Sequence, residues 1–382
     1  MKPIKNITLE NFKAYQNESF DLNYLTVFCG SNSVGKSTAI QSLGILFQSR
    51  FSDSLKLNDD LVHVGKVKDV HNFSNRDEDR LIIKLTTHEG NCLSWGYENA
   101  DQRELAQERN LLPSLNDAGQ RILIAEHLRD KLKLQYIEAE RFGPRDSQKL
   151  AEHSLHPYWL GTKGEHSVEV LKDIVTKGRH ELTGKLEDPR KHSSIQHSRI
   201  FDNIEAWMGE ISPGHKLSPE KEERANIAFN SIISSEGDVT KPINIGFGYS
   251  YSLGIVSALL LAVPGDLVII ENPEAHLHPK GQSYLGRLIA LTSMTGIQVV
   301  VETHSDHLLN GIRVIARIHP DFDPSIFTLY YISQVKGKSE VEPISLTKDG
   351  KLSNWPEGFF DQQAQDMFTI MTGKTELPGK ES

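Results

Sequence analysis

The chain has 382 residues, with 42 Lys and Arg against 51 Asp and Glu and a formal net charge of −9. With 38% apolar and 24% charged residues, the composition is that of a folded protein, and its acidic balance argues against a strong, sequence-independent nucleic-acid binder. Two cysteines exclude a disulfide framework, and no apolar run approaches the ~20 residues that span a bilayer. Because the N-terminus also lacks an apolar secretory signal, we expect a cytoplasmic protein without a membrane segment.

The first hundred residues predict strands around one helix. Ile4–Phe12 alternates apolar and polar residues, and Tyr24–Cys29 is almost continuously apolar or β-branched, which indicates a half-buried and a fully buried strand. Ala39–Phe47, which has a helical pattern, follows a glycine-containing segment. Leu81–Leu85 and Asn91–Tyr97 flank a short turn and predict a hairpin.

The rest of the chain changes character twice. From about residue 99 it is charged and mainly helical, and from about residue 240 apolar helices alternate with buried strands at Leu267–Ile270 and Ile297–Glu302. Continuous apolar strands are typical of parallel strands covered on both faces. We therefore predict an α/β fold, with a parallel sheet plus N-terminal antiparallel strands in a head and a helical insertion between its two parts. The predicted parts are 1–98 (head, N-terminal part), 99–239 (mainly helical insertion, with a head strand near 134–145) and 240–382 (head, C-terminal part).

A phosphate-binding motif lies between the predicted strand and helix of the N-terminal part. Gly30-Ser31-Asn32-Ser33-Val34-Gly35-Lys36-Ser37 fits GxxxxGK[ST] in full, and glycines in this context let the backbone amides wrap around phosphates at a helix N-terminus. Lys36 would reach the β- and γ-phosphates, and the Ser37 hydroxyl would bind Mg²⁺. The predicted ligands are ATP and Mg²⁺, and the predicted nucleotide-binding residues of the loop are Gly30, Asn32, Ser33, Gly35, Lys36, Ser37 and Thr38.

Two later strands end in polar side chains. Leu267–Ile270 is followed by Glu271, at the strand end where parallel sheets bind their ligands, so Glu271 is predicted to hold Mg²⁺. The strand Ile297–Glu302 is followed closely by His304. The imidazole of His304 is predicted to hydrogen-bond a γ-phosphate or an attacking water.

Several blocks of the sequence carry a family resemblance. ITLENFKAY and LTVFCGSNSVGKST resemble the start of RecF-, OLD- and SMC-type ATPases, whose heads are of ABC type. NIGFGYSYSLGIVSALLLA, GDLVIIENPEAHLHPKGQS, VVVETHSDHLLNGIR and WPEGFFDQ more closely resemble an uncharacterised bacterial group of AAA-family ATPases. The resemblance implies an ABC-type ATPase head and covers that head almost end to end.

The resemblance also implies roles for individual residues. Ser250 and Gly248, with Gly246, match the ABC signature segment, which contacts the γ-phosphate of ATP bound by the other subunit. A homodimer or higher homo-oligomer is therefore implied. The segment His276–His278 matches a loop that touches the dimer partner, and His304 matches the switch histidine.

A glutamine of the Q-loop contacts Mg²⁺ in such heads, and either Gln41 or Gln48 matches it. The metal-binding residues that the motifs and the resemblance imply together are Ser37, Glu271 and Gln48.

One residue departs from the ABC pattern. Glu271 matches the Walker B carboxylate of such heads. The residue after that carboxylate is usually a glutamate that acts on the attacking water, and here it is Asn272. Asparagine can orient water but cannot accept its proton. Either Glu271 or Glu274 takes over that task, or hydrolysis is slow and ATP acts as a conformational switch. The predicted catalytic residues are Glu271, Glu274 and His304.

Two further segments bear on activities and partners. Asp321-Phe322-Asp323 follows no apolar strand, so a fused TOPRIM nuclease, which some OLD-type proteins carry, is not predicted. Between Lys177 and Arg199 there are six Lys or Arg, three Asp or Glu and three His. This excess predicts either a solvated surface or a face for DNA or RNA, whose phosphate contacts would depend on salt.

Two functions from different classes follow. The first is an ATP-binding and ATP-hydrolysing ABC-type ATPase that dimerises around ATP and controls a separately encoded nuclease or toxin in DNA repair or anti-phage defence. The second is an ATP-gated scaffold with little turnover that holds or restrains such an effector, and Asn272 favours it. A P-loop kinase, a third class, does not explain the signature segment or the WPEGFF tail.

Overall fold

The structure is a computed structural model that describes residues 3–177, 180–182, 187–234, 236–356, 359 and 362–373. Its N-terminal elements are β1 (Ile4–Phe12), β2 (Tyr15–Asp21), β3 (Leu25–Gly30), α1 (Lys36–Gln48), β4 (Ser54–Lys56), α2 (Val67–Val70), β5 (Leu81–Thr87) and β6 (Cys92–Tyr97). The middle of the chain forms α3 (Ala100–Ala106), β7 (Leu111–Pro113), α4 (Ala118–Lys131), β8 (Leu134–Ile137), β9 (Gln148–Lys149), α5 (Ser167–Lys177), α6 (Ile200–Ile211), β10 (His215–Glu222), β11 (Ile227–Ser234) and β12 (Val239–Thr240). The C-terminal part forms α7 (Phe247–Leu261), β13 (Leu267–Glu271), α8 (Pro279–Ser293), β14 (Gln298–Glu302), α9 (Asp306–Ile318), β15 (Phe327–Val335), β16 (Lys338–Ile344) and α10 (Gln362–Thr372).

A six-stranded sheet in the order β16-β15-β3-β14-β13-β8 forms the centre of the head. Its neighbouring strands pair in parallel except for β15 and β16. The inner strands are mostly apolar because both faces are covered: Val268 and Val299 belong to one core, and Ile269 and Val300 to the other. The carboxyl ends of the parallel strands consequently meet at one edge of the sheet.

A second sheet is antiparallel and has the order β2-β1-β5-β6. The predicted hairpin is present as β5 and β6. Ile7 of β1 and Ile83 of β5 share one core with Leu43 of α1 and with Ile269 of the central sheet. The N-terminal strands thus cover α1, whose first residues follow the phosphate loop.

The middle of the chain contains a sheet that sequence patterns did not predict. β10 and β11 pair in antiparallel register from His215↔Ser234 to Glu222↔Ile227, and β12 and β9 pair with β11. The predicted helices are also present, and α5 and α6 pack against β10. Pro219 lies within β10, at the edge of this sheet, where a missing amide is tolerated.

A buried ion pair connects this middle region to the head. Asp188 and Arg190 have fully buried side chains, with Asp188 Oδ2 2.8 Å from Arg190 Nη2. Arg190 Nη1 donates to the carbonyl oxygens of Leu259 and Ala262, at 2.8 Å each, where α7 ends. Arg190 belongs to the basic stretch 177–199 but cannot face a nucleic acid from this position. Residues 178–179 and 183–186 of that stretch lie outside the described residues.

The C-terminal WPEGFF block lies partly within the described residues, which include Trp355, Pro356 and Phe359. Phe359 is buried against Tyr331 of β15, with ring centroids 5.3 Å apart. Over the described part of the chain, none of the helices combines the length and the apolar character needed to cross a bilayer.

Candidate nucleotide-binding site

The phosphate loop joins the end of β3 to the start of α1. Gly30 has a φ of +142°, and a Cβ there would lie 2.0 Å from the carbonyl oxygen of Ile332. Gly35 has a φ of +119°, and its Cβ would lie 2.9 Å from the Cβ of Ala14. Both positions therefore require glycine. Because the first amides of α1 have no partner within the helix, the loop ends in a set of donors suited to an anion.

A cleft of about 760 Å³ opens at the N-terminus of α1. The predicted loop residues that line it are Asn32, Ser33, Gly35, Lys36, Ser37 and Thr38. Asn272, Glu302 and His304 line it from the ends of β13 and β14. The cleft therefore brings together the phosphate loop and the polar ends of two neighbouring strands, as the sequence predicts.

Lys36 is held inside the cleft. Only 3% of the residue is exposed, and its ammonium group donates to the carbonyl oxygen of Ser31. Burial lowers the pKa of Lys36, while the negative charge of Glu302 acts in the opposite direction. The cation thus lies within the loop that would surround the phosphates.

Glu302, at the end of β14, lies beside Ser37, one of the predicted Mg²⁺ ligands. The Ser37 hydroxyl donates to Glu302 Oε1 at 3.0 Å. The other oxygen, Oε2, is buried and has no hydrogen-bond partner among the described residues. Burial, followed by the charge of Glu271, raises the pKa of Glu302 to about 7. Sequence patterns placed Glu302 in a strand but gave it no role, although a carboxylate ending an apolar strand was a usable signal.

Glu271, the predicted Mg²⁺ ligand, lies one strand further from the loop. Its Oε1 accepts a hydrogen bond from the Tyr136 hydroxyl at 2.5 Å, and its Oε2 accepts one from the Ala139 amide at 3.3 Å. The Arg141 guanidinium donates to the carbonyl oxygens of Glu271 and Asn272, at 2.7 Å each. Both carboxylate oxygens of Glu271 are therefore already used by the protein.

Glu274, the other predicted catalytic carboxylate, supports the loop that carries His304. It accepts hydrogen bonds from the Thr303 hydroxyl at 2.8 Å and from the His304 amide at 2.6 Å. Burial raises the pKa of Glu274, and these two hydrogen bonds lower it. Its position orients the backbone of His304.

Asn272 and His304 face the cleft directly. Asn272 has a φ of +44°, and its Oδ1 is buried with no partner in the described part of the chain. The exposed side chain of His304 lies at the rim, where partial burial and the charge of Lys36 lower its pKa and the Gly30 carbonyl raises it. These side chains would meet the end of a bound phosphate chain.

The two candidate Q-loop glutamines occupy different environments. Gln41 lines the cleft and accepts a hydrogen bond from Lys13 Nζ at 2.5 Å. Gln48 lies 11 residues beyond Ser37, or ~16 Å along the helix. Its side chain donates to the Lys56 carbonyl at 2.6 Å and accepts from the Val62 amide at 2.9 Å. The Gln48 side chain thus holds the following loop, Gln41 is the candidate that lines the cleft, and the role of Gln48 as a metal ligand stays a prediction.

The cleft is also lined by basic side chains that belong to no sequence motif. Lys13 and Arg76 line it from the turn after β1 and from the segment before β5, respectively. Burial lowers the pKa of Lys13. Since isolated lysines and arginines are common on surfaces, only the fold could identify these two as neighbours of the phosphate loop.

The predicted signature segment lies outside this cleft. Ser250 and Gly248 belong to the first turn of α7, and neither lines the cleft that holds Lys36. A Cβ at Gly248 would lie 2.7 Å from the carbonyl oxygen of His276, and the His276 ring lies 4.7 Å from that of Tyr251. The structure thus packs the signature segment against the loop that follows β13.

Comparison with known protein families identifies a family model that matches most of the chain. Residues 25–310, about three quarters of the chain, match the family model described as "AAA domain, putative AbiEii toxin, Type IV TA system". The chain belongs to this AAA family. Residues 323–370 match a second model, described as "Protein of unknown function (DUF3696)". The AAA match confirms the predicted ATPase family and its α/β head, and it indicates that the domain binds nucleotide.

Individual relatives are more distant. An OLD nuclease of Thermus scotoductus is 23% identical over 373 residues, which cover 86% of this chain and 64% of that protein. Among solved structures, the Smc head of Pyrococcus furiosus with an extended coiled coil, bound to the C-terminal domain of ScpA, covers 97% of this chain and 100% of that one, with 15% identity and a TM-score of 0.47. The SMC head of Thermotoga maritima covers 90% and 99%, with 13% identity and a TM-score of 0.40.

Proposed function

We propose that the protein binds ATP with Mg²⁺ in this cleft and hydrolyses it. The observation that carries the proposal is the complete phosphate loop, whose Lys36 and Ser37 face the cleft together with the carboxylate of Glu302. A bound Mg²⁺ would be held at Ser37 and would offset the charge of the phosphates. Catalysis by this chain would rest on positioning and charge stabilisation.

In this proposal the polar strand ends act on the γ-phosphate side. The His304 imidazole would donate to a γ-phosphate oxygen, and Glu274 would position His304 through its amide. Asn272 would orient the attacking water through Oδ1, which has no hydrogen-bond partner among the described residues, since an amide oxygen can accept a hydrogen bond from water. Glu271 would stabilise the end of β13 by accepting hydrogen bonds from Tyr136 and Ala139.

We further propose that two copies close around ATP. Ser250 and Gly248 lie outside the cleft that contains Lys36, which supports their acting on a nucleotide bound by a second subunit. Phe247 at the start of α7 is 54% exposed, as expected of a segment that meets a partner.

The proposed biological role is control of a separately encoded nuclease or toxin in DNA repair or anti-phage defence. It draws on the family description, which names a putative toxin of a toxin–antitoxin system, and on the OLD nuclease relative. This chain spans 64% of that relative's length, so the nuclease activity itself is not transferred. Contact with DNA or RNA through the middle region stays a prediction.

A second candidate is an ATP-gated scaffold with little turnover. The observation that favours it is Asn272, which occupies the place of the usual glutamate and cannot accept a proton from water. Both candidates require ATP binding at Lys36, and they differ in the rate of phosphate release.

The test compares wild type, Lys36→Ala and Lys348→Ala, in which an exposed lysine outside the cleft is lost. We expect Lys36→Ala to abolish ATP binding and phosphate release and Lys348→Ala to match wild type. Phosphate release that survives Lys36→Ala would contradict the ATPase, and tight binding without turnover in wild type would select the scaffold. Ser250→Arg tests the dimer: it should leave ATP binding by the monomer intact and abolish ATP-dependent dimerisation, measured by light scattering.

A further inference from the structure

The strand order of the central sheet decides which carboxylate is nearest to the phosphate loop. β14 lies between β3, which leads into the loop, and β13. Glu302 and Glu271 are register partners at the ends of β14 and β13. Since neighbouring strands are about 4.8 Å apart, Glu271 starts one strand spacing further from the loop than Glu302 does.

We propose that Glu302, together with Ser37, binds the divalent cation that accompanies the nucleotide in this cleft. The proposal rests on the proposed ATP binding and reassigns the metal-binding role that the sequence gave to Glu271. Its basis is the juxtaposition of a buried carboxylate with the hydroxyl of Ser37, at 3.0 Å.

The hydrogen bonds made to Glu302 within the described residues leave one carboxylate oxygen able to bind a cation. Only 4% of the residue is exposed, and Oε2 has no partner among the described residues. A buried carboxylate normally has its lone pairs satisfied by donors or by a metal. The adjacent ammonium of Lys36 donates instead to the carbonyl oxygen of Ser31, so it leaves Oε2 free.

A second oxygen with no partner lies in the same cleft. Asn272 Oδ1 is buried and, within the described part of the chain, accepts no hydrogen bond. Mg²⁺ prefers oxygen ligands and usually binds proteins through one or two carboxylates, with waters and phosphates completing its shell. The Glu302 carboxylate and the Ser37 hydroxyl form a donor set that fits this ion, and Asn272 Oδ1 can accept hydrogen bonds from water beside it.

Glu271 does not offer the same chemistry. Each of its carboxylate oxygens already accepts a hydrogen bond, from Tyr136 and Ala139 respectively, and it does not line the cleft. Removal of its charge should therefore affect the cation less than removal of the charge of Glu302.

The experiment measures the affinity for ADP and for a non-hydrolysable ATP analogue by calorimetry, with Mg²⁺ and with EDTA. In Glu302→Gln we expect affinity in EDTA equal to or higher than that of wild type, and a loss of tenfold or more in the gain that Mg²⁺ produces. Glu271→Gln should lose less of that gain. Glu205→Gln, a partly buried carboxylate of α6 outside the cleft, should retain it in full. Electron paramagnetic resonance of Mn²⁺ with ADP should show a matching loss of bound metal in Glu302→Gln.

An unchanged Mg²⁺ gain in Glu302→Gln, or a larger loss in Glu271→Gln, would overturn the assignment. If Glu302→Gln does not fold, Glu302→Asp replaces it, since the shorter carboxylate keeps the charge and should still reduce the gain; an undiminished gain there would also overturn it. The proposed function fails separately, if wild type binds no nucleotide or if Lys36→Ala binds it unchanged.

Discussion

Arg190 and Glu302 are both buried ionisable residues, but they differ in how completely the protein satisfies their hydrogen bonds. Arg190 in the middle region has its guanidinium bonded to the Asp188 carboxylate and to two carbonyl oxygens at the end of α7. Among the described residues, Glu302 in the cleft has one donor, the Ser37 hydroxyl, and one oxygen without a partner. Both residues are almost completely enclosed.

The difference separates a charge that holds the fold from a charge prepared for a ligand. A buried ion keeps its desolvation cost unless hydrogen bonds and an opposite charge offset it. At Arg190 the protein supplies both, so this charge needs nothing from outside. At Glu302 the protein supplies only part, and a ligand can supply the rest.

The largest effect should come from breaking the satisfied pair. Asp188→Ala leaves the Arg190 guanidinium buried without its carboxylate, and we expect a loss of about 3–5 kcal/mol in the free energy of unfolding. Urea denaturation without nucleotide measures it. The control is Asp349→Ala, because Asp349 pairs with Arg317 on the surface and its loss should change stability by less than about 0.5 kcal/mol. Equal effects of the two variants would remove the contrast.

The unsatisfied charge should behave in the opposite direction. Burial and then the charge of Glu271, with Glu274 adding to both, raise the pKa of Glu302 to about 7, while Lys36 and Ser37 act to lower it. Between about pH 4.5 and 7 the unfolded chain releases this proton while the folded protein keeps it. Stability is therefore lost as the pH rises through this window, by at most about 3 kcal/mol.

Glu302→Gln should remove this loss in the protein without nucleotide. We expect it to melt at a higher temperature than wild type at pH 8, with the two curves converging near pH 5, when thermal unfolding is followed by circular dichroism. A variant that melts below wild type at pH 8 would show that the Glu302 carboxylate is already satisfied.

Much of the head could be predicted because burial on both faces leaves a direct trace in the sequence. The segments that form β3, β13 and β14 are mostly apolar, and the phosphate loop is a contiguous motif. The sheet of the middle region has a less distinctive sequence pattern. Its edge strand β10 contains a proline and many charges, a pattern that a helical surface shares.

The site was predicted less completely because neighbours in space are set by strand order. Nothing in the sequence states that β14 lies between β3 and β13, so the last residue of β14 could not be recognised as the carboxylate beside Ser37. The helical pattern likewise could not distinguish Gln41 from Gln48, since both lie on α1. Only the structure shows that the side chain of Gln48 is bonded to the backbone of the loop that follows the helix.

The smallest expected effects concern Gln41 and Gln48, which repeat the contrast between a side chain that holds the fold and one that faces the ligand. The Gln48 side chain is bonded to backbone groups of Lys56, Leu61 and Val62, so Gln48→Ala leaves these groups without partners and should cost about 1–2 kcal/mol of stability. Its nucleotide affinity should equal that of wild type. Gln41→Ala removes a side chain of the cleft and should leave the melting temperature unchanged while reducing affinity for the nucleotide with Mg²⁺. Thermal melting and calorimetry on both variants decide the matter, since a loss of Mg²⁺-dependent affinity in Gln48→Ala would mean that its bonds to this loop give way when nucleotide binds.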